Sequence, residues 1–220
     1  MPGCSGFAEA VLAGAREPGA CVAGGPEVAR KVADILGKKV EVTEPQVAVV
    51  SCAGGKKETG AQFWYRGLSD CRAANLVAGG PKACSYGCLG MGTCCEACPF
   101  AALTMTESGL PQVDEDLCTA CGLCVEACPR FIMKLIPRSQ KVYVACVNPA
   151  KGKEVKDVCS RGCTGCRLCA SPKITPSGAI QMQGNLPVID PAGTGELEKA
   201  VQKCPAHCFE VRKSSLGARR

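Results

Sequence analysis

Apolar side chains near the start of the chain recur at helical spacing. Phe7, Val11 and Leu12 share one face of a predicted helix, and Gly14 follows as its C-cap. A second predicted helix ends at Gly37, and its apolar stripe consists of Val28, Val32, Ile35 and Leu36. Residues 1–37 are therefore expected to form two short helices.

Two β-branched runs later in the chain have a different pattern. Residues 46–50 (QVAVV) predict a buried strand that leads to Cys52. Residues 141–145 (KVYVA) predict a second strand, which leads to Cys146. Each strand is thus followed by a cysteine.

The chain also repeats itself, and the repeat defines its organisation. The sequence AALTMTESGLPQVD at 101–114 is echoed by GAIQMQGNLPVID at 178–190, and each predicts two short strands around a glycine-containing turn. The other echoes are Cys84-Ser-Tyr-Gly-Cys88 with Cys159-Ser-Arg-Gly-Cys163, and Cys128-Pro129 with Cys204-Pro205. The second half is therefore a diverged copy of the first.

Composition indicates what holds such modules together. The chain has 220 residues with 20 Cys, 26 Gly and 15 Pro, but only five Phe, three Tyr and one Trp. So few large side chains make a weak apolar core for this length. Disulfides and bound metal are the two chemistries that use this much cysteine.

The sequence favours metal over disulfides. Residues 1–14 lack the basic and long apolar regions of a secretory signal peptide, and no run of about 18 apolar residues predicts a transmembrane helix. The cysteines at 118, 121, 124 and 128 lie too close together to connect distant loops. We therefore expect a reducing, cytoplasmic compartment and thiolate-bound metal.

The formal net charge of +6 raises the alternative of nucleic acid binding. A four-iron cube held by four thiolates carries a charge of about −2, so three cubes would bring the total to about zero. The basic residues are scattered, apart from Arg219 and Arg220. No nucleic acid partner is expected.

The densest motif is Cys118-x2-Cys121-x2-Cys124-x3-Cys128-Pro129, which has the spacing of bacterial ferredoxins. Three thiolates of such a run surround one four-iron cube, and the fourth reaches a neighbouring cube. The alternative is a zinc ribbon, in which two CxxC pairs surround one ion. Three cysteines at x2 spacing followed by Cys-Pro fit a zinc ribbon poorly.

A looser partner run precedes it and also ends in Cys-Pro. If the two runs exchange their fourth ligands, cluster 1 is held by Cys84, Cys88, Cys94 and Cys128. Cluster 2 is then held by Cys98, Cys118, Cys121 and Cys124. Cys95 is expected to be a spectator, because successive side chains diverge.

The second copy retains the ligands of one cube, predicted as cluster 3: Cys163, Cys166, Cys169 and Cys204. The positions that match the ligands of cluster 2 hold Thr175, Thr194, Leu197 and Ala200. The lost residues form one complete ligand set, so we predict a one-cluster module. The alternative is a metal-free copy with leftover thiols.

Four further cysteines have no place in these sets: Cys52, Cys71, Cys146 and Cys159. They are either a further cluster where the two halves meet or buried spectator thiols. The repeat argues against the cluster, because Cys159 is the counterpart of Cys84, a predicted ligand of cluster 1. Sulfurs of one cubane must lie within about 7 Å of each other, given metal–sulfur bonds near 2.3 Å.

His207 is expected at the surface or beside a cluster ligand rather than on the metal.

These motifs predict an α+β fold of small iron–sulfur modules with at least three 4Fe–4S clusters. The expected domains are an N-terminal segment with part of a cluster motif (1–37), a strand and helix connector (38–83), a two-cluster ferredoxin-like domain (84–138) and a degenerate one-cluster ferredoxin-like domain (139–220). A cube with four thiolate ligands has no open position for substrate. We therefore expect an electron carrier without a catalytic site of its own.

Three stretches carry a resemblance to a known family: PGCSGFAEAV followed by CVAGG, SDCRAANLVAGGPKACSYGCLGMG, and the ferredoxin run. On these the chain resembles the B subunit of the Rnf ion-translocating oxidoreductase complex over nearly its whole length. The resemblance implies electron transfer between reduced ferredoxin and NAD, coupled to Na⁺ or H⁺ movement. It implies soluble ferredoxin and other Rnf subunits as partners, at the cytoplasmic face of the membrane.

The resemblance also implies an N-terminal four-iron cluster, which that family binds through a CGxCGxxGC motif and a distant cysteine. Cys4 and Cys21 match the last two of its ligands. The first two ligands and the family's membrane helix would lie upstream of Met1. We expect either a longer natural chain or a form without both. The alternative function is a freestanding polyferredoxin or an iron–sulfur subunit of a soluble dehydrogenase or hydrogenase.

Overall fold

The computed structural model describes residues 3–21, 24–40, 44–191 and 197–212. Its helices in these ranges are α1 (Gly3–Leu12), α2 (Gly25–Ile35), α3 (Cys71–Leu76), α4 (Thr93–Glu96), α5 (Leu123–Ala127), α6 (Lys153–Val158) and α7 (Leu197–Lys203), with short 3-10 helices at Pro18–Ala20 and Leu168–Ala170. Its strands are β1 (Gln46–Val50), β2 (Leu103–Met105), β3 (Pro111–Val113), β4 (Met133–Pro137), β5 (Val142–Val144), β6 (Ile180–Gln183), β7 (Leu186–Ile189) and β8 (Phe209–Val211). The fold is α+β, as predicted.

Each half of the chain contains the same two antiparallel strand pairs. In the first half, β1 pairs with β4, with Val47 opposite Ile136, and β2 pairs with β3. In the second half, β5 pairs with β8, with Tyr143 opposite Glu210, and β6 pairs with β7. The two strands and two hairpins predicted from sequence are therefore confirmed, and they occupy equivalent places in the two copies.

The two predicted N-terminal helices are confirmed, but not every side chain of the predicted apolar stripes is buried. Gly14 and Gly37 have φ of +70° and +61° and follow the last turns of α1 and α2, as predicted. Leu12 and Ile35 are nevertheless 73% and 84% exposed. Helix α2 buries small alanines instead, because it packs closely against the 3-10 helix at Pro18–Ala20.

The core is divided between the two halves, and cysteines contribute to both parts. In the first half, buried Ile132, Met133 and Leu103 pack with Cys94 and Cys124. In the second half the buried cluster contains Ile180, Leu197, Phe209, Cys163, Cys169, Cys204 and Cys208. The thiols thus lie on the inner side of the strands, where the few large apolar side chains also lie.

Candidate metal centres

Three cysteine loops share one backbone conformation. In the loop 118–124, Ala120 and Gly122 are left-handed, with φ of +57° and +83°. The matching residues are Gly165 and Arg167 in the loop 163–169, with φ of +65° and +61°, and Gly90 and Gly92 in the loop 88–94, with φ of +73° and +82°. Left-handed φ is uncommon for residues other than glycine, yet Ala120 and Arg167 adopt it where the other two loops have glycine. The shared conformation therefore marks one structural motif. The loop 88–94 is therefore a third copy of the ferredoxin loop.

The equivalence of the three loops shows which ligand position of the loop 88–94 lacks a cysteine. Cys88 and Cys94 stand at the first and third ligand positions, and Met91 stands where the other loops have Cys121 and Cys166. Cys84 precedes the loop and is not part of it. The spacing Cys88-x2-Met91-x2-Cys94 was the sequence signal for this register, with methionine in place of the middle cysteine.

A more distant cysteine lies beside the incomplete loop. Cys71 begins α3, and its amide donates to Thr93 Oγ1 at 2.7 Å, next to Cys94. Asp70 caps the helix and accepts from the amides of Arg72 and Ala73. The bond between Cys71 and Thr93 holds the start of α3 against the start of α4, and the Asp70 cap fixes the first turn of α3.

The first cavity has an empty volume of about 390 Å³, which includes its open mouth, and four of its lining residues are Cys71, Cys88, Cys94 and Cys128. Burial raises the pKa of Cys88 to about 12 and raises that of Cys94 as well. Met105, Ile132 and Met133 line the apolar side. The structure thus brings together three predicted ligands of cluster 1 and places Cys71 with them instead of Cys84.

The second cavity, of about 310 Å³, is lined by all four predicted ligands of cluster 2: Cys98, Cys118, Cys121 and Cys124. The amide of Ala48 on β1 donates to Cys118 Sγ at 3.5 Å. Burial raises the pKa of Cys124 to about 11, and the neighbouring thiols Cys118 and Cys121 add to this effect.

The third cavity, of about 330 Å³, is lined by the four predicted ligands of cluster 3 and by one further cysteine: Cys163, Cys166, Cys169, Cys204 and Cys208. Cys208 Sγ lies 3.5 Å from Cys204 Sγ. Hydrogen bonding from Cys208 lowers the pKa of Cys204. Cys208 follows its Cys-Pro pair at the same distance as the buried Ile132 follows Cys128, so it occupies a core position.

The Cys-Pro pairs end in three matching turns. The third residue after Cys98, Cys128 and Cys204 has φ of +51°, +53° and +46°, respectively. In each turn that residue's amide donates back to the cysteine carbonyl, at 3.4, 3.2 and 3.1 Å. His207 is the third residue after Cys204 and is exposed, and its carbonyl accepts from Arg161 Nε at 3.2 Å. The single histidine therefore lies in a surface turn.

Packed side chains fill the place in the second half that matches the second cavity. Leu197 and Ala200 are buried on α7 at the positions that match Cys121 and Cys124. Thr175, which matches Cys98, is buried and donates from Oγ1 to the Cys169 carbonyl at 2.8 Å. Thr194 lies outside the described residues. Apolar packing thus occupies the place that the second cavity has in the first half.

A fourth cavity, of about 360 Å³, lies between the two halves, and four of its lining residues are Cys52, Cys84, Cys146 and Cys159. The chain turns directly after Cys84, where the amide of Gly87 donates to its carbonyl at 2.9 Å. Asn148 Nδ2 lies 3.7 Å from Cys84 Sγ. Cys84 therefore lies with Cys52, Cys146 and Cys159, where the sequence suggested Cys71. Cys71 in turn lies in the first cavity, where the sequence predicted Cys84.

Three cysteines are not among the lining residues of these four cavities. Cys4 is exposed on α1, and Cys21 is half-buried directly after the 3-10 helix at Pro18–Ala20. Cys95 is half-buried and lines neither the first nor the second cavity.

Each of the four cavities gathers at least four cysteines along its lining. Across the described ranges, no group of three or more His, Cys, Asp or Glu side chains is arranged to hold one metal ion. Four cysteine thiolates are the ligand set of a 4Fe–4S cubane.

Within the described residues, no helix is both long enough and apolar enough to cross a bilayer. Residues 111–133 match the family of 4Fe–4S binding domains. This segment contains the ligand run that begins at Cys118. The chain therefore binds 4Fe–4S clusters.

Three relatives match nearly the whole chain. The B subunit of the ion-translocating oxidoreductase complex of Methanosarcina acetivorans is 40% identical over 96% of this chain and 79% of the relative. The B subunit of the proton-translocating ferredoxin:NAD(+) oxidoreductase complex of Clostridium ljungdahlii is 46% identical over 95% of this chain and 74% of the relative. The B subunit of the Na(+)-translocating ferredoxin:NAD(+) oxidoreductase complex of Acetobacterium woodii is 40% identical, over 95% of this chain and 62% of the relative. This chain belongs to the family of B subunits of ion-translocating ferredoxin:NAD(+) oxidoreductase complexes.

Proposed function

We propose that this chain passes electrons between reduced ferredoxin and the NAD-linked subunits of a membrane complex that moves Na⁺ or H⁺. The observation that supports it best is the threefold recurrence of one cysteine loop, each copy beside a cavity lined by at least four cysteines. A cluster whose iron atoms all bind thiolate exchanges electrons and has no open position for a substrate.

The ligand sets in this proposal follow the cavities. Cluster 1 takes Cys71, Cys88, Cys94 and Cys128, and cluster 2 takes Cys98, Cys118, Cys121 and Cys124. Cluster 3 takes Cys163, Cys166, Cys169 and Cys204. Residues 84–138 then form a two-cluster ferredoxin-like domain completed by Cys71, and residues 139–220 form a one-cluster domain.

The protein's own groups prepare each site for electron transfer. Thiolates collect negative charge, and backbone amides such as that of Ala48 on Cys118 Sγ stabilise it. Apolar side chains such as Ile132 and Met133 exclude water from the first cavity. Hydrogen bonds to the sulfurs and burial are two of the factors that set the reduction potential of an iron–sulfur cluster.

The partners in this proposal are other subunits of the complex and soluble ferredoxin, at the cytoplasmic face of the membrane. The relatives are named as subunits of ion-translocating complexes, and two of those names include ferredoxin and NAD(+). Cys4 and Cys21 would contribute to a further cluster with ligands from elsewhere.

The test uses the full chain, reconstituted anaerobically with iron and sulfide. Reduced ferredoxin should bleach its visible absorption, and the reduced clusters should show paramagnetic resonance. Cys128→Ser and Cys98→Ser should each remove a different signal, because each Cys-Pro turn supplies the neighbouring loop's cluster. Cys95→Ser is the matched control and should keep both signals. Clusters that form but accept no electron from ferredoxin would contradict the proposed function.

A further inference from the structure

The fourth cavity is built from the same two elements of each repeat. Cys52 lies two residues after β1, and Cys146 lies two residues after β5. Cys84 and Cys159 each begin a Cys-Ser-x-Gly-Cys turn, and in each turn the glycine amide donates back to the cysteine carbonyl, at 2.9 and 3.4 Å. The four thiols are therefore related by the internal repeat, with one pair from each half.

A glycine keeps the space between these thiols open. A Cβ atom added to Gly54 would lie 2.9 Å from Cys159 Sγ and 3.9 Å from Cys52 Sγ. The two sulfurs are therefore less than about 7 Å apart, the limit for two ligands of one cubane. Gly54 is not among the residues with positive φ, so the missing side chain provides room rather than backbone freedom.

Backbone amides connect this cavity to both neighbouring sites. The amide of Cys88, from the first cavity, donates to Cys52 Sγ at 3.4 Å. The amide of Cys163, from the third cavity, donates to Cys146 Sγ at 3.3 Å. The sulfurs of Cys52 and Cys146 are thus each hydrogen-bonded to the backbone amide of a cysteine that lines a neighbouring cavity.

Two cationic side chains line the cavity, Lys82 and Arg161. Arg161 pairs with Glu210 at 2.9 Å. Lys82 Nζ instead donates to backbone carbonyls, to that of Cys88 at 2.7 Å and also to that of Gly54. A cubane with four thiolates carries a charge of about −2, so the ammonium group of Lys82 beside it offsets part of that charge. Four neutral spectator thiols would offer this ammonium group no negative charge.

From this juxtaposition we infer that Cys52, Cys84, Cys146 and Cys159 hold a further 4Fe–4S cluster at the junction of the two repeats. The binding of this cluster stands on the cavity alone, whereas its role rests on the proposed function. That role is to connect cluster 1 with cluster 3, since it lies beside ligands of both. Each transfer moves one electron from a reduced neighbour to an oxidised one, and no bond forms or breaks.

The test compares iron content in the full chain with Cys4→Ser and Cys21→Ser as background, so that the N-terminal thiols add no iron. After anaerobic reconstitution, iron and acid-labile sulfide assays should find about sixteen of each per chain, and native mass spectrometry should find four clusters. Adding Cys52→Ser and Cys146→Ser should lower these values to about twelve and three clusters. Adding Cys95→Ser instead is the matched control and should leave sixteen.

Several results would overturn the inference. A background chain that never holds more than three clusters, or that binds zinc in place of the fourth, contradicts it. So does a doubly substituted chain that retains sixteen irons. If the double variant folds poorly, the mass of the background chain still decides, because the other three sets account for only three clusters. Failure of the proposed function has a different signature, namely that all four clusters form and ferredoxin reduces none of them.

Discussion

The buried pair Arg212–Glu115 connects the two repeats, and its removal should destabilise the protein strongly. Arg212 follows β8 at the end of the second repeat, and Glu115 lies just before the ligand loop that begins at Cys118. Arg212 Nε donates to Glu115 Oε1 at 2.9 Å, and its Nη1 donates to the carbonyls of Arg138 and Gln140, each at 2.9 Å. The perturbation is Glu115→Gln, which keeps the shape but removes the negative charge.

The magnitude follows from burial. The side chains of Arg212 and Glu115 are only 7% and 13% exposed, so Glu115→Gln leaves a buried guanidinium without its counterion. Breaking a buried pair in this way costs about 3–5 kcal/mol. For a chain of this size, each kcal/mol lowers the melting temperature by about 2–4 °C, so the expected decrease is roughly 6–20 °C.

The matched control is Glu27→Gln on α2. Glu27 pairs with Lys31 at 2.8 Å, but the two side chains are 80% and 70% exposed. Such surface pairs contribute about 0–1 kcal/mol, so the control should melt within a few degrees of the wild type. The assay is anaerobic thermal unfolding of the reconstituted chain, followed by circular dichroism and by cluster absorption. Equal melting temperatures for Glu115→Gln and Glu27→Gln would refute the argument.

Two further predictions concern cluster assembly. Burial raises the pKa of Cys124 and of Cys169 to about 11, above the ordinary thiol value of 9.0, so both are protonated near neutral pH and must lose a proton to bind iron. Iron incorporation, followed by visible absorption, should therefore accelerate as the pH rises from neutrality toward 9, and a rate independent of pH would contradict this. Removing the metal with a chelator should unfold residues 84–136, because ligand bonds replace the missing apolar core there. Hydrogen exchange would measure this loss, and native-like protection of that segment in the apoprotein would count against it.

Much of the molecule follows from the sequence alone, because it depends on local geometry. The ferredoxin run places three of the four cysteines of the second cavity in one seven-residue loop, and only the φ angles of that loop need to be correct to gather them. The hairpins follow from alternating side chains around a glycine turn. The internal repeat then extends both results to the second half.

Tertiary structure decides which distant cysteine joins the cysteines of each loop to complete a set of four. The spacing of the cysteine run predicted Cys84 as a ligand of cluster 1. In the structure, however, α3 packs its first turn, which begins at Cys71, against Thr93, whereas the turn after Cys84 lies beside Asn148 of the other repeat. The same applies to burial in α2, where Ala33 is buried and Ile35 is exposed. A local pattern determines which side chains share a loop or a helical face. Which distant element lies against that loop or face depends on packing between residues far apart in the chain, and no local pattern contains that information.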